Sequence, residues 1–255
     1  MDLGLRHHAI IVTGAASGIG AAIARMLAAE GVGGLLLADR DAEGLARIAA
    51  ELSVTPVQTI VADLSDPAAP QAIAQAATTR FGRIDGLVNA AGLTTRGSVL
   101  SGTAEIWDTL FAVNARAGFF LMQAAIADMT RRKAPGAIVN ILSMNAHCGI
   151  PDLAIYAASK GAMLTLTRNA AHAHMADRIR VNGINLGWVA TETEDRIQTA
   201  LLGKDWEVQV AATQPLGRLV TPEECARLAT FLLSDASTPM SGAVIDFEQK
   251  VAGAI

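Results

Sequence analysis

His8-Ala9-Ile10-Ile11-Val12 runs directly into Thr13-Gly14-Ala15-Ala16-Ser17-Gly18-Ile19-Gly20, and then into Ala21-Ala22-Ile23-Ala24-Arg25-Met26-Leu27-Ala28-Ala29-Glu30. The first stretch is a short apolar run of the kind that forms a buried strand, and the last is rich in helix formers at a helical period. Between them lies a glycine-rich turn. Strand, turn and helix N-terminus in that order place bare backbone N–H groups and the positive end of a helix dipole where a pyrophosphate can be held. The candidate contacts are Gly14, Ser17, Gly18, Ile19 and Gly20. A glycine turn alone is weak, but an acid follows at the fingerprint distance: Asp39 closes the second apolar run, Leu35-Leu36-Leu37-Ala38, about twenty residues on.

Asp39 would accept hydrogen bonds from a ribose diol and would repel a 2'-phosphate, which puts NAD ahead of NADP. Arg40 argues the other way, because a guanidinium pairs with a phosphate through two parallel bonds. The structural alternative for Asp39 is a cap on the helix beginning near Ala42, a role that Asp41 can take instead.

A second constellation lies further along. Tyr156-Ala157-Ala158-Ser159-Lys160 sets a phenol and an ammonium one helical turn apart, thirteen positions after Ser143. Residues at i and i+4 share a helix face. A cation there favours the phenolate, lowering a pKa that is ordinarily about 10. Ser143 ends the apolar run 137–142, and the carboxyl end of a strand is where open α/β sheets bind their ligands.

These motifs in this order resemble the short-chain dehydrogenase/reductase family, and the resemblance spans essentially the whole chain. Asp63-Leu64 resembles the pair that touches adenine, and Asn89-Ala90-Ala91-Gly92 the element closing the fourth strand. Asn114 matches the helix asparagine of a proton relay, tying Lys160 to solvent through an ordered water. Val181-Asn182 through Gly187, Val189 and Thr191 match the segment that holds the nicotinamide. By this resemblance Asn114, Ser143, Tyr156 and Lys160 are the catalytic set. Ser143 donates to the substrate oxygen, Tyr156 exchanges the proton, and Lys160 tunes the phenol and bonds the ribose. Asn89, Ala90 and Gly92 join the cofactor site. One departure is evident: Leu186-Gly187-Trp188 stands where the family has proline beside the glycine, which restores an N–H and frees φ next to the nicotinamide.

The rest of the chain agrees with this reading. Strand-like runs at 10–12, 35–38, 57–62, 86–89, 137–142, 180–185 and 243–247 alternate with helical patterns, the signature of a doubly wound α/β Rossmann fold with a seven-stranded parallel sheet. The 255 residues, 51% of them hydrophobic, suffice for one domain without linker or repeat. The mean hydropathy of +0.36 is accounted for by buried strands and by helix faces hidden between subunits. No uncharged run reaches the roughly eighteen residues of a membrane span, and a net charge of −4 gives no footprint for nucleic acid. No Cys/His cluster has metal-ligand spacing. Two cysteines and no secretory signal imply a cytoplasmic protein, and the resemblance implies a homotetramer. Cys148, five residues after Ser143, is expected to be a small buried hydrophobe at or near the pocket.

By position, Thr94, Arg96, Asn145, His147, Trp188 and Glu192 face the substrate. A pocket this polar, in a chain with 4% aromatics, suits a sugar or sugar alcohol better than a lipid. The leading expectation is therefore an NAD-dependent dehydrogenase of secondary alcohols. Its rivals are an NADPH-dependent reductase of small ketones or acyl thioesters, and a catalytically silent dinucleotide sensor. Residues 188–214, with little helix expected, read as a lid over the site.

Overall fold

Strand β1, Ala9–Thr13, is buried at every residue, as a central strand covered on both faces must be. It pairs with β2, Gly34–Asp39, on one side and with β4, Gly86–Asn89, on the other. The computed structural model describes residues 3–147 and 149–251; Cys148 lies outside the described residues. Strands β3 (Val57–Val61), β5 (Gly136–Ile141), β6 (Ile179–Leu186) and β7 (Val244–Phe247) complete one sheet in the order β3-β2-β1-β4-β5-β6-β7. Every pairing is parallel. The seven expected runs are all strands, with ends within about two residues of expectation, the usual uncertainty of such boundaries.

Alternating side chains send Val12, Leu35, Leu37, Val139 and Ile184 into one core, with helices α1 (Gly18–Ala29), α2 (Ala42–Glu51) and α9 (Pro222–Leu233). Ile11, Leu36, Leu87, Ile138 and Val181 face the other core, with α3 (Ala69–Phe81), α5 (Ala117–Arg132) and α6 (Ala154–His174). The chain reverses its direction of winding between β1 and β4. Their carboxyl ends therefore open a crevice at the switch point, where ligands bind in such sheets.

Helix α4 (Ala104–Phe111) joins α5 through a π-helical turn, Ala112–Arg116. The whole run Ala104–Arg132 is long and apolar enough to cross a membrane by length and composition, and it is the one such helix among the described residues. Over half of its most apolar window is buried in the protein, so it serves as a core helix.

Residues 188–214 are more helical than their composition suggests. They contain α7 (Glu192–Leu202), capped by the Thr191 hydroxyl on Glu194 N, and α8 (Trp206–Ala211). The acids of its first turn favour the N-terminal end of a helix dipole, a signal that outweighed the loop reading.

Candidate active site

The glycine turn is shaped by contacts that leave no room for side chains. Gly14 has φ +66°, and a Cβ there would lie 2.8 Å from the Ala91 backbone. A Cβ on Gly20 would penetrate the carbonyl oxygen of Gly14. Both neighbours are backbone and cannot swing aside. We expect Gly20→Ala to shift the turn and lower kcat/KM by about a hundredfold, mostly through weaker dinucleotide binding, which fluorescence titration with reduced cofactor would read.

Helix α1 starts at Gly18, and its N-cap Ser17 makes no side-chain capping bond, which leaves first-turn N–H groups for a ligand to meet. The Thr13 hydroxyl secures the turn from behind by accepting from Ala90 N (3.2 Å) and Ala91 N (3.3 Å). Thr13 was not singled out in the sequence; its signal is its position as the last residue of β1.

Asp39 ends β2 with its carboxylate at the mouth of the turn. It accepts from Ala16 N and from Asp41 N, both at 3.1 Å. Asp41, not Asp39, caps α2, through Gly44 N at 3.0 Å. Arg40 is exposed. A second cation stands nearby, since Arg47 on α2 donates to the Ala16 carbonyl at 3.1 Å. Asp63 takes a bond from Ser65 N that holds its carboxyl below the usual range, and Leu64 is packed in the core. On the far side of the crevice Gly187 follows Leu186, which simply extends β6 to pair with Phe247. The leucine thus continues the strand where a proline would interrupt it. Val189 bridges Val220, and Thr191 lies close to Gly18, so the two walls meet. The cradle, the acid and the uncapped helix end fit a dinucleotide.

Beside this cradle, β5 and α6 bring the catalytic candidates together. Tyr156 is 8% exposed among Leu110, Leu153 and Ile155. Lys160 is 5% exposed, lies 6.0 Å from the Tyr156 ring centre and donates to the Ile141 carbonyl at 2.8 Å. Asn114, in the π turn, makes a two-way pair with the Leu93 backbone (2.8 and 2.9 Å) and donates to Ser159 Oγ at 3.0 Å. Ser159 in turn donates to the Tyr156 carbonyl at 2.7 Å. That fully buried serine, overlooked in the sequence, clamps the helix between phenol and ammonium. Asn114 does not bond Lys160 directly, although both flank the position of Gly92. A π turn is a frequent device where a helix must aim a functional side chain.

The electrostatics differ from the expectation drawn from the i, i+4 spacing. Burial is the largest influence on the Tyr156 phenol and raises its pKa; a hydrogen bond with Ser143 opposes this, and the Glu194 carboxylate raises it further. The Lys160 ammonium, 6.0 Å from the ring centre, donates to the Ile141 carbonyl. Burial lowers Lys160 itself to about 8, so it is still mostly charged at neutral pH.

The polar residues expected to face the substrate fare unequally. Asn145 stands beside Ser143, its amide N–H 3.4 Å and its backbone N–H 3.1 Å from Ser143 Oγ. His147 is instead engaged with Asp246 (2.9 Å) and Asn185 (3.0 Å). Arg96 is paired with Asp152, and Thr94 is exposed. Glu192 is exposed and lies near enough to Arg25 for its charge to act there; the acid that turns inward is Glu194. Trp188 stacks on the buried Trp206 with ring centres 5.9 Å apart.

A sequence model described as enoyl-(acyl carrier protein) reductase matches residues 14–248. The chain belongs to the short-chain dehydrogenase/reductase family. It is an oxidoreductase of that family, which uses a nicotinamide dinucleotide. It is 38% identical over 246 residues to 2-(S)-hydroxypropyl-CoM dehydrogenase 3 of Xanthobacter autotrophicus, covering 94% of each chain. Over 249 residues it is 35% identical to D-threitol dehydrogenase of Mycolicibacterium smegmatis, covering 96% of this chain and 94% of the relative. Among solved structures, L-sorbose reductase of Gluconobacter frateurii, complexed with NADPH and L-sorbose, superimposes with a TM-score of 0.93 at 28% identity over all of both chains.

Proposed function

We propose that this short-chain oxidoreductase interconverts a secondary alcohol and a ketone on a sugar or sugar alcohol, with NAD as the hydride carrier. The observation that carries the reading is the meeting of Ser143, Tyr156 and Lys160 beside the glycine cradle. When bound, the oxidised nicotinamide supplies the hydride acceptor and a positive charge. In its phenolate form, which the positive charge of the oxidised nicotinamide would favour, Tyr156 would take the substrate hydroxyl proton, and Ser143 would donate to the oxygen on which charge changes. Lys160 holds the cofactor ribose and returns the proton toward solvent past Asn114. Residues 188–214 close over the pair and exclude water.

Asp39 supports NAD, because a carboxylate closing β2 beside the glycine turn would accept from a ribose diol and repel a 2'-phosphate. Arg40 and Arg47 support the second reading, NADP, as does the NADPH in the sorbose reductase complex. Asp39→Ala separates the two. On the NAD reading it weakens NAD roughly tenfold or more, the worth of a charge-assisted bond, and tightens NADP. Unchanged affinities for both cofactors would show that Asp39 does not select.

The polyol reading rests on Asn145 beside Ser143 and on the threitol and sorbose relatives. A homotetramer remains part of the proposal. It is supported by exposed apolar side chains along α4 and α5, Trp107 at 47%, Phe119 at 39% and Phe120 at 41%, which a monomer would leave in water. A monomeric mass in solution scattering would reject it.

A further inference from the structure

We propose that Gln249 is a positioning residue of this oxidoreductase, its side-chain amide locking the hinge on which residues 188–214 close over the dinucleotide. The inference rests on the reading of those residues as a lid and deepens it, because it says what sets the lid in place.

The two helices of the lid have little hold on the rest of the protein. α7 and α8 pack chiefly on each other, and Leu201, Leu202 and Val208 on them are more than half exposed. A segment with few buried apolar contacts opens at low cost, so its setting is decided where its ends join the body. The leading end is fixed by backbone. Gly187 N donates to the Phe247 carbonyl at 3.1 Å, Val220 N to the Trp188 carbonyl at 3.1 Å and Ala190 N to the Val220 carbonyl at 2.9 Å. Glu248, which follows β7, lies with its carboxylate against Gly187, in the space that a Cβ would fill.

The trailing end is held by a side chain. The chain turns back at 214–217, where Gly217 N donates to the Gln214 carbonyl at 2.9 Å, and Gly217 has φ +65° with open space at its Cβ position. Gln249 brackets that glycine. Its amide oxygen accepts from Leu216 N at 2.9 Å, and its amide nitrogen donates to the Arg218 carbonyl at 2.6 Å. One side chain thus bonds the residue before the glycine and the residue after it, across more than thirty positions of chain. Hinges are a few element-terminal residues that absorb a change of φ and ψ, and a left-handed glycine without side-chain neighbours suits that task. Beyond it Arg218 is paired with Glu224 at 2.8 Å, within the capping box of α9, so the far side of the hinge is anchored to a core helix. The leading end of the lid in turn meets the dinucleotide cradle, since Thr191 lies close to Gly18. A lid whose trailing hinge is loose closes less often, and a bound dinucleotide leaves it faster.

Gln249→Met tests this, because it keeps the length and bulk of the side chain and removes both bonds. NADH and NADPH serve as probes, without substrate. Stopped-flow fluorescence reads dinucleotide association and dissociation, hydrogen exchange reads residues 192–211 and α9, and a thermal melt reads the fold. The dissociation rate should rise about fivefold or more, the worth of two net hydrogen bonds, with the association rate and Tm close to those of the parent. Exchange along 192–211 in the bound state should quicken while α9 stays protected. Gly217→Asn added to Gln249→Met should slow dissociation again, because asparagine tolerates the left-handed conformation and stiffens the chain there. If Gln249 merely holds the fold together, Tm falls, exchange rises in α9 as well and stiffening Gly217 restores nothing, which overturns the inference. If exchange along 192–211 in the unsubstituted chain is the same with and without either dinucleotide, the lid reading itself fails and the inference falls with it. If the dinucleotide protects 192–211 and Gln249→Met releases it no faster, only the inference fails.

Discussion

Replacing Tyr156 by phenylalanine is expected to lower kcat by roughly 10²–10⁴-fold, the usual worth of a positioned acid–base group, while the cofactor Kd stays near its original value. The reason is local. The phenol is buried in an apolar pocket, so no bulk water stands ready to replace it as proton acceptor. Its ring packs against Leu110, Leu153 and Ile155, contacts that phenylalanine retains. The variant should therefore remain folded with a Tm close to the parent, since removing one hydroxyl from a packed aromatic leaves its shape unchanged. Steady-state rates with paired thermal melts separate this outcome from unfolding. A kcat within a few-fold of the parent would remove Tyr156 from the chemistry.

The largest expected effect on stability comes from Arg180, at the start of β6. The residue is 6% exposed, and its guanidinium fans out over the C-terminal end of α9. It donates to the Leu232 carbonyl at 2.9 Å, the Ser234 carbonyl at 2.9 Å and the Ser237 hydroxyl at 2.7 Å. These include carbonyls that a helix end leaves without partners, and a cation is also favoured there by the helix dipole. α9 packs against α1 in the same core, so Arg180 braces the helix that starts at the glycine turn. Arg180→Ala is expected to cost about 3 kcal/mol or more, because several buried acceptors lose their donor at once. At this chain length that corresponds to a drop in Tm of about 6–12 °C. A shift below about 2 °C would mean that water takes over the acceptors.

The sequence shows the parts of this molecule that are governed by short-range pattern. The apolar runs, the glycine turn and the Tyr156–Lys160 spacing are local, and each reappears as expected in the sheet, the crevice and α6. What it does not show is pairing over distance. His147 meets Asp246 ninety-nine positions away, and Arg180 meets α9 across more than fifty. Neither pairing leaves a trace in composition or period. The phase of a helix is a second gap. Glu192 and Glu194 are equivalent as letters, and only the start of α7 at the Thr191 cap decides that the second turns inward. Desolvation is the third. The i, i+4 rule brings Lys160 near Tyr156, but burial of the phenol raises its pKa against the lowering expected from the spacing. The π turn that carries Asn114, whose partners are Leu93 and Ser159, is likewise invisible in the residues Val113-Asn114-Ala115.

Whether this chain moves hydride at the Tyr156 site is read by the absorbance of reduced nicotinamide. Purified protein is mixed with NAD or NADP and a panel of vicinal diols, tetritols and sugars, beside the Tyr156→Phe variant. Steady formation of reduced cofactor with a hydroxylated secondary alcohol, abolished in the variant, is the predicted result. Equal rates in the two proteins, or no turnover of any secondary alcohol or its ketone with either cofactor, would contradict the assignment.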